Sequence, residues 1–201
     1  MVGWAGCFGK KPRKSRHDDG AGDPVSAWVK TMAIILETPR LILRHQVLED
    51  LDDLWSLYCN PSITKYIPDA PRTRAEAREE LEWHMYGHPK NPQLGLWATI
   101  HKEMEKFIGR CGLLPWTIDG QNEVEVAYTI AEEFWGQGLG TEAAQAILEY
   151  GFNKLNLSRL ICLIDSENIA SQKVAGNIGM TFEKEARDET GPFLIYSITR
   201  K

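Results

Sequence analysis

Residues 124–143 constrain this chain more than any other stretch: Val124-Glu125-Val126-Ala127-Tyr128-Thr129-Ile130-Ala131-Glu132-Glu133-Phe134-Trp135-Gly136-Gln137-Gly138-Leu139-Gly140-Thr141-Glu142-Ala143. The first seven residues follow the period-2 pattern of a half-buried strand. Beyond the glycines, Ala143, Ala144, Ile147, Leu148 and Phe152 recur on one face of a helix. Between strand and helix, Gly136, Gly138 and Gly140 leave backbone N–H groups uncovered by any Cβ. They do so at a helix N-terminus, where the positive pole of the helix dipole adds to them. Together these features make a site for phosphate oxygens. A tight turn alone could also use such residues. A plain cap needs only one glycine, so three alternating glycines favour a phosphate-containing ligand.

The rest of the chain supplies elements of both kinds. Ile35 to Arg44 ends in a strand, with Pro39 near its beginning. Glu49 to Tyr58 reads as a helix with Leu51, Leu54, Trp55 and Tyr58 on one side, interrupted by Asn60-Pro61. Thr73-Arg74-Ala75-Glu76 fits a capping box, and its helix runs to about Tyr86. Strands are expected at 94–101, 107–114 and 123–130, the last after the turn Asp119-Gly120. After the helix from Thr141 to about Lys154 comes Arg159 to Ile164, with the short apolar run of a strand buried on both faces. Ala170 to Ile178 forms a helix closed by Gly179, and strands at 181–187 and 193–199 finish the chain. This order predicts an α/β domain with a mixed sheet.

Charge is unevenly distributed. Residues 1–31 hold six Lys/Arg against three Asp, whereas the remainder holds 17 Lys/Arg against 25 Asp/Glu. An acidic body argues against a nucleic-acid partner. Residues 1–33, with the basic run Lys10 to Arg16 and no core-forming period, are expected to be a disordered tail or an upstream extension. Residues 34–201 are the folded domain. No apolar run approaches the ~20 residues of a membrane span. Cys7, Cys59, Cys111 and Cys162 are widely spaced without a C-x-x-C, which fits a reducing cytoplasm and suggests neither a disulfide framework nor a metal site. His84 and His88 are four apart but lack the glutamate of a zinc-protease helix, and read as surface histidines.

Two phosphate-binding loops compete for the glycines. The P-loop is excluded because no lysine follows them. Gly138-Leu139-Gly140-Thr141-Glu142-Ala143 matches the dinucleotide fingerprint G-x-G-x-x-A, and Asp165 follows the next strand, so a nicotinamide-binding oxidoreductase is a rival reading. Against it, Ala131 to Gln137 separate strand from glycines, and no further βαβ unit follows Asp165.

From Leu36 to the C-terminus the sequence resembles the GNAT superfamily of acetyl-coenzyme A-dependent N-acetyltransferases, and within it the branch of Rim-type ribosomal-protein N-terminal acetyltransferases. The pyrophosphate motif Q/R-x-x-G-x-G/A falls on Trp135-Gly136-Gln137-Gly138-Leu139-Gly140, with Trp135 departing from it. The N-x-x-S segment falls on Asn168-Ile169-Ala170-Ser171, leading to Gly179-Met180. The resemblance implies a mixed, largely antiparallel sheet flanked by helices, with a splayed central strand pair holding acetyl-CoA. It implies direct attack by a neutral amine on the thioester. Gln137, Gly138, Leu139, Gly140 and Thr141 would hold the pyrophosphate; Tyr128, Thr129, Ile130 and Asn168 would contact the pantetheine arm and thioester. No metal is expected.

Glu125 is the candidate base, with Glu189 second; a polar residue on an exposed strand face is the competing reading of Glu125. Many relatives place a tyrosine, as acid for the departing thiolate, where this chain has Ala175. Ser171, or else Tyr196, is therefore the candidate donor to that thiolate, although Ser171 could also be a local cap. The missing tyrosine keeps a non-catalytic acyl-CoA-binding module open. The acceptor, a protein N-terminus or a small-molecule amine, would enter between the helices of residues 49–87 and the last hairpin, where Glu76, Glu79 and Glu80 add negative charge. A monomer or a homodimer fits equally.

Overall fold

The computed structural model describes residues 33–88, 91–188 and 191–200. The expected tail, except for residue 33, and Glu189 lie outside the described residues. Among the described residues eight strands form one sheet: β1 (Ile34–Glu37), β2 (Leu41–Arg44), β3 (Gly95–His101), β4 (Lys106–Ile118), β5 (Gln121–Ile130), β6 (Arg159–Asp165), β7 (Thr181–Arg187) and β8 (Pro192–Thr199). Their spatial order is β1-β2-β3-β4-β5-β6-β8-β7. Every neighbouring pair is antiparallel except β5 and β6. The sheet is thus mixed and mostly antiparallel, not the doubly wound parallel sheet that a dinucleotide fold requires.

Among the described residues five α-helices accompany the sheet: α1 (Leu51–Tyr58), α2 (Pro61–Thr64), α3 (Arg74–His84), α4 (Leu139–Asn153) and α5 (Ile169–Asn177). They cover opposite faces. Trp97 and Ile108 pack with Ala143, Ala144 and Ile147 of α4, while their chain neighbours Ala98 and Phe107 pack with Leu54 of α1 and Leu81 of α3. Strand side chains alternate between faces, so α1 to α3 lie on one side and α4 with α5 on the other.

Local chemistry explains several boundaries. Asp119 and Gly120 both take positive φ, at 51° and 78°, as a two-residue hairpin turn between right-twisted strands demands. That tight turn lets β4 and β5 pair without a break from Gly109↔Ile130 to Ile118↔Gln121, making β4 longer than the expected 107–114. The expected strand with Pro39 near its beginning is β2, and residues 34–37 add a further strand, β1, joined to it by a hairpin. Proline offers no N–H to a ladder, and the chain reverses there with Thr38 bonded to Leu41.

Asn60-Pro61 starts a helix as well as ending one. The Asn60 Oδ1 accepts the Ser62 N–H at 2.9 Å, and proline sits in the first turn of α2. Thr73 caps α3 as expected through the Glu76 N–H at 3.2 Å. The Glu76 carboxylate, however, accepts the Arg72 N–H rather than that of Thr73.

The histidines at 84 and 88 are not surface residues: they are 2% and 4% exposed. Both pack edge-on against Trp83, and the Leu96 N–H donates to Nδ1 of His84. Gly95 and Leu96 come from β3, so nothing near residue 84 in the sequence announced this cover. Burial, with Arg110 and His88 close by, holds His84 well below the usual imidazole range.

Candidate active site

The sheet is split at its centre. β5 and β6 run parallel but share one register pair, Glu125↔Ile161, and then diverge. Past that point β5 stays paired with β4 but loses its neighbour on the β6 side, and a cleft of about 720 Å³ opens between β5 and β6. Its walls are Tyr128, Thr129 and Ile130 of β5, Cys162 to Asp165 of β6, the glycine loop, and the first turns of α5. Glu125 lies at its closed end.

The glycine loop forms the opposite end. Gly136 and Gly138 take φ of +74° and +77°, a region that L side chains enter only under strain. Gly138 caps α4, whose first intrahelical bond runs from the Glu142 N–H to the Gly138 carbonyl. The N–H groups of Leu139, Gly140 and Thr141 precede that bond, and all three residues line the cleft. Gly140 is helical, and a Cβ there would meet Ile130 and Val174 only at 3.9 Å, so its lack of side chain leaves open space over the helix start. Gln137 does not line the cleft. Its side-chain amide donates to the Glu133 carbonyl, and its own carbonyl accepts from Arg40.

Arg40 was invisible in the sequence reading. It brackets the loop: Nε reaches Glu142 at 2.6 Å and the guanidinium donates to Gln137 at 2.9 Å. Glu142 would otherwise set a bare carboxylate in the first turn of α4. Partial burial pushes its pKa up, but hydrogen bonds from Thr38 and Arg40 outweigh this and hold it below the usual range. These partners lie some 100 residues away in sequence, so no local signal could have found them.

Trp135, the departure from the pyrophosphate motif, also has a place. Its indole N–H donates to the Ile130 carbonyl at 2.6 Å, and it lines the cleft beside the loop. Ile130 therefore has its carbonyl engaged.

Glu125 is buried, 4% exposed, which removes its reading as a polar residue on an exposed face. It points to the side of the sheet that carries Leu114 and Trp116, opposite Val126 and Tyr128. The Trp116 indole N–H donates to Oε2 at 2.7 Å, and the Leu163 N–H reaches Oε1 at a long 3.4 Å. Burial raises the carboxyl from 4.5 to about 7 despite these two donors, and Asp69 adds to the rise. A group at that value is a base near neutral pH.

On the other side of the cleft, Tyr128 reaches across to α5. Its hydroxyl donates to the Ser171 carbonyl at 2.9 Å and accepts from the Ser171 hydroxyl at 3.0 Å. Asn168 caps α5 by accepting the Ser171 N–H at 3.0 Å, and lines the cleft as well. Ala175 is fully buried in the core, so helix α5 turns this position away from the cleft and presents Val174 and Asn177 instead. Tyr196 bonds to Gln172 at 3.3 Å and does not line the cleft.

The expected negative charge on the acceptor side is partly spent within the fold. Glu80 forms a buried ion pair with Arg110 at 2.8 Å and accepts from Tyr58. Asp69, at the surface, is pushed up to about 6 by the protein packed around it, with Glu80 adding to the rise. Among the described residues no group of three or more His, Cys, Asp or Glu is gathered to hold a metal, and no helix is long and apolar enough to cross a membrane.

The chain is similar to known proteins in sequence and in fold. Over residues 40–181 the sequence matches the family model described as an acetyltransferase (GNAT) domain. It is 34% identical to the protein YkkB of Bacillus subtilis (strain 168) over 162 residues, 80% of this chain and 93% of that one. It is 33% identical to the N-acetyltransferase p20 of Bacillus licheniformis, over 75% of this chain and 83% of p20. In fold it is similar to RimL, a ribosomal L7/L12 alpha-N-protein acetyltransferase, with a TM-score of 0.69 at 18% identity over 84% of this chain and 94% of RimL. With a glycine loop at a helix start, a sheet parted at its centre and a family match over most of its length, this chain belongs to the GNAT acetyltransferase family, whose members transfer an acetyl group to an amine.

Proposed function

We propose that the protein transfers the acetyl group of acetyl-CoA to a primary amine by direct attack, without an acyl-enzyme. The observation that carries this reading is the parting of β5 and β6 after Glu125↔Ile161, which leaves an open strand edge running from a buried carboxylate to an anion-binding helix start. The N–H groups of Leu139, Gly140 and Thr141 would hold the pyrophosphate. By strand alternation the backbone of Tyr128 and Ile130, not of Thr129, faces the gap, so their N–H groups would serve the pantetheine arm and the charge on the thioester oxygen. Asn168 would meet the arm from the α5 side.

Glu125 would take the proton that the amine must lose, directly or through a water. Its carboxyl, raised to about 7, is deprotonated only above that pH, so activity should rise with pH through neutrality. Glu125→Gln should lower kcat/KM by about 100-fold above neutral pH and remove the inflection near 7. An unchanged pH–rate profile removes Glu125 from this role.

The acceptor is a protein N-terminus or a small-molecule amine. RimL, named for action on a protein N-terminus, makes peptides the first acceptors to try. The test is release of free thiol from acetyl-CoA with Ala- and Ser-starting peptides and with a panel of small amines. Release with peptides alone supports a protein N-terminal acetyltransferase, and release with small amines alone supports metabolite or drug acetylation. Tight acetyl-CoA binding by calorimetry without release from any acceptor overturns the catalytic reading in favour of a binding module.

A further inference from the structure

The family's usual tyrosine acid is replaced here by Ala175, and helix α5 buries that position completely. The cleft nevertheless holds a phenol. Tyr128, on β5, extends over the gap where β5 and β6 part and meets Ser171 in the first turn of α5. Both residues line the cleft. They stand on the face of the sheet opposite Glu125, since Tyr128 and Glu125 are three apart on one strand and packed in different clusters. A thioester lying in the gap would therefore have the carboxylate on one side and two hydroxyls on the other. The attacking amine and the departing sulfur need that separation.

We propose that Tyr128 and Ser171 act as one donor pair on the departing thiolate, with the Ser171 hydroxyl facing the sulfur and the Tyr128 phenol backing it. In the structure the Ser171 hydroxyl donates to Tyr128, and the phenol donates to the Ser171 carbonyl. As the C–N bond forms and the C–S bond breaks, the electron pair goes to sulfur. The Ser171 hydroxyl turns to it, and the phenol redirects its hydrogen bond from the Ser171 carbonyl to the Ser171 Oγ, which no longer donates to the phenol. The Ser171 Oγ then accepts from the phenol while it donates to sulfur, so the serine's hydrogen bond is strengthened by the one behind it. Burial, with Cys162 adding to it, holds the Tyr128 phenol well above its usual range. The phenol therefore keeps its proton. The thiolate is stabilised by hydrogen bonding, leaves as such, and takes its proton from solvent, while Glu125 returns the amine proton to solvent. Ser171 is the catalytic residue of the pair; Tyr128 is a positioning residue that acts through it.

This inference rests on the direct-attack reading of the site, and the test separates the two. Wild type, Tyr128→Phe, Ser171→Ala and the double variant are compared for kcat, KM for acetyl-CoA and CoA binding by calorimetry. The acceptor is whichever amine supports thiol release. Tyr128→Phe should lower kcat about tenfold, the scale of one hydrogen bond to a charged centre. KM and CoA affinity should stay within about twofold, because the Phe ring keeps the packing. In the Ser171→Ala background, removing the phenol should cost no more, since it acts only through the serine.

Equal losses from Tyr128→Phe in both backgrounds, or an unchanged kcat, overturn the pairing while leaving the acetyltransferase reading intact. Lost CoA binding in Tyr128→Phe also overturns it, because the phenol then shapes the cleft instead. Wild-type protein that releases no thiol overturns both.

Discussion

Glu125→Gln should stabilise the fold while it disables the site. In the native chain the Glu125 carboxyl is raised from its usual 4.5 to about 7, with burial as the main cause. Between these two values the native state binds a proton that the unfolded chain has released. Stability therefore falls as pH rises through that window. Each pKa unit corresponds to ~1.4 kcal/mol, so a buried, ionised Glu125 costs about 3 kcal/mol well above neutral pH. Glutamine cannot ionise, and its Oε1 can still accept the Trp116 N–H now held at 2.7 Å. Its amide group would face the Leu163 N–H, but that bond is already long at 3.4 Å, so little is lost.

The advantage of the variant over wild type should grow by about 2–3 kcal/mol between about pH 5 and about pH 8.5. For a domain of this size it should amount to a Tm rise of about 5–10 °C at the alkaline end. His84 moves the opposite way. It is held neutral by burial, so its contribution is present above the unfolded imidazole value and is lost as pH falls below it. That term is common to both proteins and cancels in the difference. Urea titrations of the two proteins at three pH values make the measurement. A stability difference that stays flat across the window refutes the claim that this carboxyl ionises in a buried site.

Three further outcomes follow from the same geometry. Gly138→Ala forces an L side chain into φ of +77°, at a cost of about 1–2 kcal/mol, and sets a methyl 3.6 Å from the Arg40 guanidinium. Acetyl-CoA affinity measured by calorimetry should fall with it. Arg40→Ala frees the Glu142 carboxylate at the anion-binding helix start. Because Arg40 is 45% exposed, the rise in KM for acetyl-CoA should be only about fivefold, shrinking at high salt with kcat unchanged. Arg110→Met strands the buried Glu80 carboxylate, and should cost about 3–5 kcal/mol in urea denaturation; adding Glu80→Gln should recover part of that.

The division between what was legible in the chain and what was not follows the range of the interactions. Period-2 and period-3.6 patterns, the Asp119-Gly120 turn, the Thr73 cap and the glycine loop are written in residues a few positions apart. Each gives its element from local chemistry alone, and the two motifs carried the family. Where a short element depended on what packs over it, the reading slipped. A further strand formed before Pro39, Asn60-Pro61 opened a helix, and His84 disappeared beneath β3.

The sequence by itself therefore determined the fold class, the glycine loop at the start of a helix and the strand that leads into it. Only the tertiary structure decided how that strand is used. A single shared register pair parts β5 from β6, and the same β4–β5 register that places Trp116 against Glu125 buries the carboxyl and raises its pKa. Tyr128 meets Ser171 across 43 residues, and Arg40 meets Glu142 across 102. The physical reason is that burial and long-range hydrogen bonds depend on sheet order and helix placement. These are properties of the whole packed chain that no window of neighbouring residues contains.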